Sequence, residues 1–317
     1  MAGELKIKGS ADLFKLLLAA PILLLLSAPL LAQDLEPRRW SHLPSKLNVV
    51  GLAAAWTNGE ILFDPALNIE DATFDTYLGA AAYVRTFEFL GKSARVDFTV
   101  PYAAGRWEGL LNGEPASVRR RGFADPFVRF SINLYGAPPL SGKEYVQYKR
   151  ENPVTTTVGA GLQIRPPLGD YNDQWLINLG NNRWMIRPQL GVLHQRHKWQ
   201  FELTGSVFMF TDNDEFFNDS SREQNALWFM QGHVIYTFKP GWWASFSGGY
   251  GYGGRNTISG VKKDDASRAR YIAVSIGMPI SPRQSLKLTY YTSDTHVATG
   301  TNTDALIAAW SINWGGI

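Results

Sequence analysis

The stretch Val154-Thr-Thr-Thr-Val-Gly-Ala-Gly-Leu-Gln-Ile-Arg165 alternates along its length between two kinds of residue. Its even positions are Val, Thr, Val, Ala, Leu and Ile, and its odd positions are Thr, Gly, Gln and Arg. Successive side chains of a β-strand point to opposite faces, so this strand would have one apolar and one polar face. Similar stretches recur from about Leu47 to Trp314. The pattern predicts an all-β protein, a transmembrane antiparallel up-and-down β-barrel with a lipid-facing exterior and a wet interior.

We predict about twelve strands. They cover residues 46–57, 71–88, 94–107, 122–135, 154–166, 182–194, 199–211, 225–238, 242–254, 268–279, 285–294 and 304–314. Tight turns alternate with longer polar connections, as in bacterial outer-membrane barrels, whose short turns face the periplasm. An even number of strands then leaves both termini in the periplasm and predicts a cell outer-membrane location.

Two connections differ from this simple pattern. Residues 136–153 are long but lie on the periplasmic side, where Lys143–Lys149 could form a helical turn. The loop Glu108–Arg121, with its Arg119-Arg-Arg121 run, either narrows the outer mouth or only carries surface charge. Of the periplasmic segments, only 33–45 and 136–153 are long enough to fold inward.

Residues 1–32 have the pattern of a cleaved secretory signal peptide. Lys6, Lys8 and Lys15 precede an apolar run that ends at Ala32. A retained membrane helix is the alternative, but the run is short and contains two prolines. The predicted organisation is a signal peptide (1–32), a periplasmic N-terminal segment (33–45), the barrel (46–314) and a C-terminal tail (315–317).

The composition excludes several classes of function. The 317 residues contain no cysteine, which removes disulfides, thiol catalysis and cysteine-type zinc sites. A formal charge of +3, with basic residues spread in strand rhythm, gives no sign of nucleic-acid binding. The chain has five histidines but no Gly-x-Ser-x-Gly elbow, and no serine stands two residues from a histidine as in barrel phospholipases. We therefore expect no enzyme activity and no cofactor.

Other motifs favour structural roles over ligand binding. His194 and His197 have metal-ligand spacing but no third ligand, so we predict no metal site there. The acidic loop Asp212–Asp219 offers oxygen ligands for calcium, although a solvated surface loop is favoured. Gly249–Gly254 matches Gly-x-Gly-x-x-Gly without a following helix, so these glycines more plausibly relieve crowding inside a curved strand.

Aromatic residues concentrate near the predicted strand ends, as expected at membrane–water interfaces. Those on the loop side are Trp56, Trp107, Trp184, Trp228 and Tyr252, and those on the turn side are Tyr135, Trp199, Tyr236, Trp242 and Trp314. The last strand resembles the C-terminal signal by which barrel-assembly machinery recognises outer-membrane proteins. That machinery and outer-membrane lipid are the expected partners of a monomeric barrel.

The polar parity of each strand predicts which side chains enter the lumen. The charged or titratable ones are Arg85, Arg95, Asp97, Arg129, Arg165, Arg187, Glu202 and His233. Uncharged companions are Tyr83, Gln163, Gln189, Thr204, Gln231, Tyr271 and Tyr291. Five arginines against two acids would attract anionic solutes, so these eight are selectivity candidates. The alternative is a polar wall network that only stiffens the barrel.

Several stretches resemble the family of outer-membrane transporters labelled "MetA-pathway of phenol degradation". They are Arg38–Pro44, Val118–Pro126, Arg165–Tyr171, Ile177–Trp184 and Phe210–Phe217. The resemblance implies a β-barrel that helps aromatic or other small compounds cross the outer membrane. We therefore expect a channel for passive passage of small organic solutes, with aromatic and anionic compounds as the candidate classes. The alternative is a plugged structural or surface-interaction barrel without transport.

Overall fold

A computed structural model describes residues 35–63 and 67–316 of the chain. The predicted signal peptide, 1–32, lies outside the described residues. In the described ranges, no helix has both the length and the apolar character needed to cross a membrane.

Twelve long strands close into one antiparallel ring, which confirms the predicted fold class. The ring strands are β1 (Asn48–Leu62), β2 (Ile69–Phe89), β3 (Lys92–Leu111), β5 (Phe127–Tyr135), β6 (Val154–Arg165), β7 (Met185–Arg196), β8 (Trp199–Phe210), β11 (Leu227–Lys239), β12 (Trp242–Gly253), β15 (Ser267–Ser281), β16 (Gln284–Thr295) and β17 (Gly300–Trp314). Each pairs with its neighbours along the chain, and β1 pairs with both β2 and β17, so no sheet edge is left open in the ring.

The remaining strands lie at one end of the barrel. They are β4 (Glu114–Phe123), β9 (Asn213–Phe216), β10 (Ser220–Gln224), β13 (Asn256–Ile258) and β14 (Val261–Lys262). The last four form a small separate sheet in the order β14-β13-β10-β9. We call this end the loop end, and the opposite end, with the short turns and the start of β1, the turn end. In the described residues, no three His, Asp or Glu side chains cluster as a metal site would require.

The interpretation of Glu108–Arg121 as a loop is wrong. The end of β3 and all of β4 form a hairpin, in which Leu111 pairs with Glu114. Asn112 and Gly113 connect the two strands with φ of 53° and 81°. Two consecutive positive φ angles are what a two-residue type I′ turn requires, and Asn-Gly is its preferred sequence. The Asn-Gly pair was therefore the sequence signal for this hairpin.

Exposed aromatic side chains lie near both ends of the barrel exterior. Trp56, Trp184 and Trp228 are exposed near the loop end, and Trp199 and Trp314 near the turn end. Leucine, valine and phenylalanine side chains are exposed between them. Trp107 departs from the predicted position at the membrane–water interface. It is ten residues after inward-facing Asp97 on the same strand, and an even spacing places both side chains on the same face. It therefore faces inward and is 6% exposed.

One α-helix, α1 (Gly142–Glu151), lies in the long connection at the turn end and contains the predicted helical turn. The Gly142 backbone N–H donates to the carbonyl of Gly316 at 2.8 Å, which ties the helix to the C-terminal tail. The amine of Lys149 donates to Gln195 on β7 at 3.0 Å. The helix is therefore anchored to the turn end of the barrel by both polar contacts.

Candidate functional site

The described residues that precede β1 lie inside the barrel. Trp40 is 1% exposed, and its backbone N–H and indole Nε1 donate to Glu202 and Thr204 on the inner face of β8, at 3.3 and 2.8 Å. We call residues 35–45 the plug. The plug is the described part of 33–45, one of the two segments judged long enough to fold inward.

Glycines on the barrel wall make room for the Trp40 ring. Gly159 on β6 and Gly191 on β7 are paired directly across the two strands. A Cβ at Gly159 would lie 2.2 Å from Trp40 Cε3, and one at Gly191 would lie 1.9 Å from its Nε1. Both distances are far inside van der Waals contact. Only residues without a side chain therefore permit the indole to lie against this wall.

Ion pairs hold the first half of the plug. The Arg39 guanidinium donates to Asp97 on β3 and to Ser131 on β5. Arg129 on β5 contacts the same Asp97, with its Nε at 3.1 Å, and also Glu36 of the plug, with its Nη1 at 2.7 Å. Burial alone would raise the pKa of Glu36, but the charge and hydrogen bond of Arg129, together with the charges of Arg95 and Lys287, outweigh it and lower that pKa to about 2. The plug and the wall thus complete one buried charge network.

Leu35, at the inner end of the plug, reaches the apolar core of the barrel. It packs in a cluster with Phe229, Tyr271 and Tyr291. A Cβ at Gly249 would lie 2.9 Å from Leu35 Cδ2. The crowding that this strand glycine relieves therefore comes partly from the plug itself.

His42 holds the plug at the turn end. Its Nε2 lies 2.7 Å from the carbonyl oxygen of Pro138. The rings of Tyr145 and Tyr148 on α1 meet it edge-on, with centroids 5.0 and 5.3 Å away, and the Tyr145 hydroxyl donates to the His42 carbonyl. Burial lowers the pKa of His42 to about 4, because the charged imidazolium would lose its hydration. Helix α1 therefore covers the plug on the turn side.

Seven of the eight predicted lumen side chains lie on the inner face of the ring. They are Arg95, Asp97, Arg129, Arg165, Arg187, Glu202 and His233. His233 Nδ1 lies 2.7 Å from Ser247 Oγ, and its Nε2 lies 3.1 Å from Gln231, which also accepts from the Glu36 backbone. Most of these inward-facing side chains therefore surround the plug. Whether it sets selectivity stays a prediction.

The inward direction predicted for Arg85 and Tyr83 is wrong. Thr86, next to Arg85 on β2, is the inward residue and is 2% exposed, whereas Arg85 is exposed. Arg85 Nη1 and the Tyr83 hydroxyl both donate to Asn48 at the turn end. The inner face of β2 carries Leu, Ala and Val between its threonines, so polarity does not distinguish its two faces.

The prediction missed Lys287, an inward cation of β16 between Leu286 and Leu288. Inward-facing Thr289, two residues further on, was the alternation signal that could have found it. Lys287 lines a cavity of about 430 Å³ together with Arg39 and Arg95. The cavity reaches a wall of small residues, Gly51, Ala53, Ala80 and Ala82 on β1 and β2. In the ring order, β1 and β2 lie opposite β8 and β11, and β8 carries the Glu202 and Thr204 side chains that bind Trp40.

A folded loop lies over the loop end. We call residues 166–184, between β6 and β7, the lid. Asp125 accepts hydrogen bonds from the backbone N–H groups of Gly169 and Asn181, both at 2.9 Å. The Arg120 guanidinium lies 4.0 Å from the centre of the Trp175 ring. Of the Arg119-Arg-Arg121 run, Arg120 therefore binds the lid from strand β4.

The lid crosses the mouth of the barrel. Leu176 packs against a cluster that includes Phe74 and Trp107 on β2 and β3. The same side chain packs against Phe216 and Ile258 of the small sheet. Because the small sheet belongs to the connections after β8 and β12, Leu176 joins two separated parts of the ring.

The five stretches that carry the family resemblance meet in these two structures. Arg38–Pro44 is the centre of the plug, Arg165–Tyr171 and Ile177–Trp184 make up most of the lid, and Val118–Pro126 anchors it. The hydroxyl of Tyr171 in the lid donates to the carbonyl of Glu215, within Phe210–Phe217, at 2.9 Å. These stretches therefore have a shared structural role in filling or covering the lumen.

Comparisons with known proteins agree with this architecture. Residues 63–306 match the family model described as "Putative MetA-pathway of phenol degradation". A comparison with curated proteins gives no match. The COG4313 outer membrane channel from Pseudomonas putida F1 superposes with a TM-score of 0.72 at 18% identity, covering 88% of this chain and 99% of that one. The transport unit of the autotransporter AIDA-I from Escherichia coli has a TM-score of 0.49 at 9% identity, covering 90% and 95%.

Proposed function

The chain belongs to the family described as "Putative MetA-pathway of phenol degradation", and from that premise we propose that it is an outer-membrane channel for the passive passage of small organic solutes. The observation that carries the proposal is the asymmetric position of the plug. Trp40 packs against β6 to β8, while the opposite wall carries small residues and borders the 430 Å³ cavity. A solute path would run between the plug and this wall.

The charges of the lumen favour anionic solutes. The inward cations are Arg39, Arg95, Arg129, Arg165, Arg187 and Lys287, and the inward acids are Glu36, Asp97 and Glu202. The low-dielectric wall of the barrel focuses the electrostatic field of these excess positive charges along the path. We therefore propose that the channel prefers small anions, including carboxylates with an aromatic body.

Single-channel recording in planar bilayers tests the channel. We expect discrete conductance steps and a reversal potential, in a KCl gradient, that indicates preference for chloride. Arg95→Gln combined with Lys287→Gln should move the reversal potential towards cation preference. Exposed Arg106 (Arg106→Gln) is the matched control, and it should leave the reversal potential unchanged. No conductance at any voltage, both in the wild type and in a variant with a weakened plug, would contradict the proposal.

The second candidate is a structural or surface-interaction barrel without transport. It is favoured by one observation, that the plug and the lid cover the lumen from both ends. Recordings that stay silent in both the wild type and a plug-weakened variant would favour this candidate. A silent wild type with a conducting variant would instead indicate a channel that is closed at rest.

We propose an outer-membrane location with the turn end in the periplasm, and insertion as a monomer by barrel-assembly machinery. The support is the alternation of short turns at one end with longer connections at the other. The chain has no cysteine, so single cysteines can be labelled cleanly. A membrane-impermeant maleimide should label exposed Lys262→Cys on intact cells and leave exposed Lys239→Cys unlabelled until the cells are broken. The reverse result would contradict this orientation.

A further inference from the structure

The loop-end half of the lumen contains a second cavity, separate from the one beside the plug. Its volume is about 120 Å³, and Met185, Phe208, Phe210, Leu227 and Tyr271 form an apolar pocket on one part of its lining. Polar side chains, among them Ser293, Thr295 and Thr303, complete the lining. An apolar cavity of about 150 Å³ is large enough to hold a benzene ring, so one small ring is near the size limit here.

Arg183, at the end of the lid, introduces a charge into this apolar pocket. The residue is 3% exposed. Its Nη2 donates to Gln224. Its Nε and Nη1 are buried and have no hydrogen-bond partner among the residues that the structure describes. Its guanidinium carbon lies 4.3 Å from the centre of the Phe210 ring. Nε and Nη1, on different edges of the planar guanidinium, are thus buried without a partner beside an aromatic surface.

The surroundings compensate this positive charge only in part. Arg165 also lines the cavity, and Arg222 is close enough to act on the charge of Arg183. Burial lowers the pKa of Arg183 well below its ordinary value, because the guanidinium loses hydration, and the positive charge of Arg222 lowers it further. The negative charges of Asp125 and Asp212 raise this pKa in part, but the Asp125 oxygens already accept three hydrogen bonds from Gly169 and Asn181. A buried cation with free donors is costly unless an anion pairs with it.

We propose that this cavity binds small monocarboxylates with a compact apolar body, the carboxylate on Arg183 and the body among Phe208, Phe210 and Tyr271. The inference deepens the proposed channel, because it assigns a substrate class to a site in the same lumen. A carboxylate accepts a charge-assisted hydrogen bond from Nη1, which lies on a different edge of the planar guanidinium from Nε. The aromatic rings and Met185 bury the apolar part, and the lid residue supplies the charge.

Fluorine NMR with the detergent-purified full barrel tests the site, using three probes. 4-Fluorobenzoate has both the carboxylate and the ring, 4-fluorobenzamide keeps the ring without the charge, and trifluoroacetate keeps the charge without the ring. Line broadening in empty micelles of the same detergent is subtracted, since rings partition into micelles. We expect 4-fluorobenzoate to bind more tightly than either of the other probes.

Two variants separate the charge from the cavity. Arg183→Gln should weaken 4-fluorobenzoate binding about tenfold or more, as expected for a lost charge-assisted pair, and leave 4-fluorobenzamide unaffected. Ala269→Leu reduces the volume of the pocket from β15, leaves the charge of Arg183 unchanged, and should weaken both ring probes. Arg106→Gln, an exposed arginine on β3, is the matched control and should change nothing. Heat-dependent migration in SDS gels first confirms that each variant is folded.

Three results would overturn the site: no binding of 4-fluorobenzoate to the wild type, equal binding to Arg183→Gln, or equal affinity for the neutral amide. Bilayer recording of the same preparation keeps this inference apart from the proposed channel. Conductance without 4-fluorobenzoate binding rejects the site and leaves the channel. Binding without conductance supports the site in a barrel that does not conduct.

Discussion

Replacing Trp40 with alanine should release the plug. A tryptophan side chain buries about 200 Å², and Trp40 is 1% exposed. At about 25 cal/mol per Å² this burial contributes about 5 kcal/mol. The indole hydrogen bond to Thr204 contributes about 1 kcal/mol more. Truncations of this kind cost about 3–5 kcal/mol in practice, so we expect docking of the plug to weaken by about 4 kcal/mol.

Two assays measure this release. Ser45 is 4% exposed and lies five residues from Trp40, so Ser45→Cys reports on the plug as a whole. If undocking equilibrates quickly, the labelling rate follows the undocked population. A change of about 4 kcal/mol then raises the maleimide labelling rate by up to about a thousandfold. In planar bilayers, the same variant should show a larger single-channel conductance than the wild type.

The matched control is Trp228→Ala, which removes an exposed tryptophan from the barrel exterior. It should change neither the labelling rate nor the conductance. The reasoning is refuted if Trp40→Ala labels and conducts like the wild type while it remains folded. A labelling increase without a conductance increase would show that the plug moves but does not obstruct the ion path.

Further predictions concern the same plug. Gly191→Ala should raise Ser45→Cys labelling as Trp40→Ala does, because its Cβ would overlap the indole; Gly205→Ala, where the added Cβ meets nothing within 4 Å, is the control. Acidification should also release the plug: the pKa of His42 is about 4 when docked and about 6.5 when free, so the undocked form binds the proton more strongly. Docking is then unaffected above pH 6.5 and weakens progressively down to about pH 4. The labelling rate of Ser45→Cys, divided at each pH by that of exposed Lys239→Cys to remove the loss of thiolate in acid, should rise as the pH falls from about 6.5 to about 5. His42→Gln should flatten this profile, and a rise that persists in His42→Gln would contradict the assignment.

Strands β6 and β2 show where the alternation of polar and apolar residues predicts the direction of side chains and where it does not. On β6, Gln163 and Arg165 alternate with Leu162 and Ile164, so both faces were predicted from polarity alone. On β2, alanines occupy both faces, so the two faces do not differ enough in polarity to predict the direction of Arg85. Parity is therefore informative only where one face is apolar and the other is polar.

The barrel could be predicted from the chain alone: the number of ring strands, their approximate bounds and the apolar exterior follow from a period of two residues, which is a local property of the chain. The contents of the lumen could not be predicted in this way. A polar inner face has the same sequence pattern whether it contacts water or polypeptide. The contacts that fill this lumen join distant residues, such as Trp40 with Thr204 and Arg39 with Asp97. No local pattern encodes such pairs, because their partners meet only after the ring has closed.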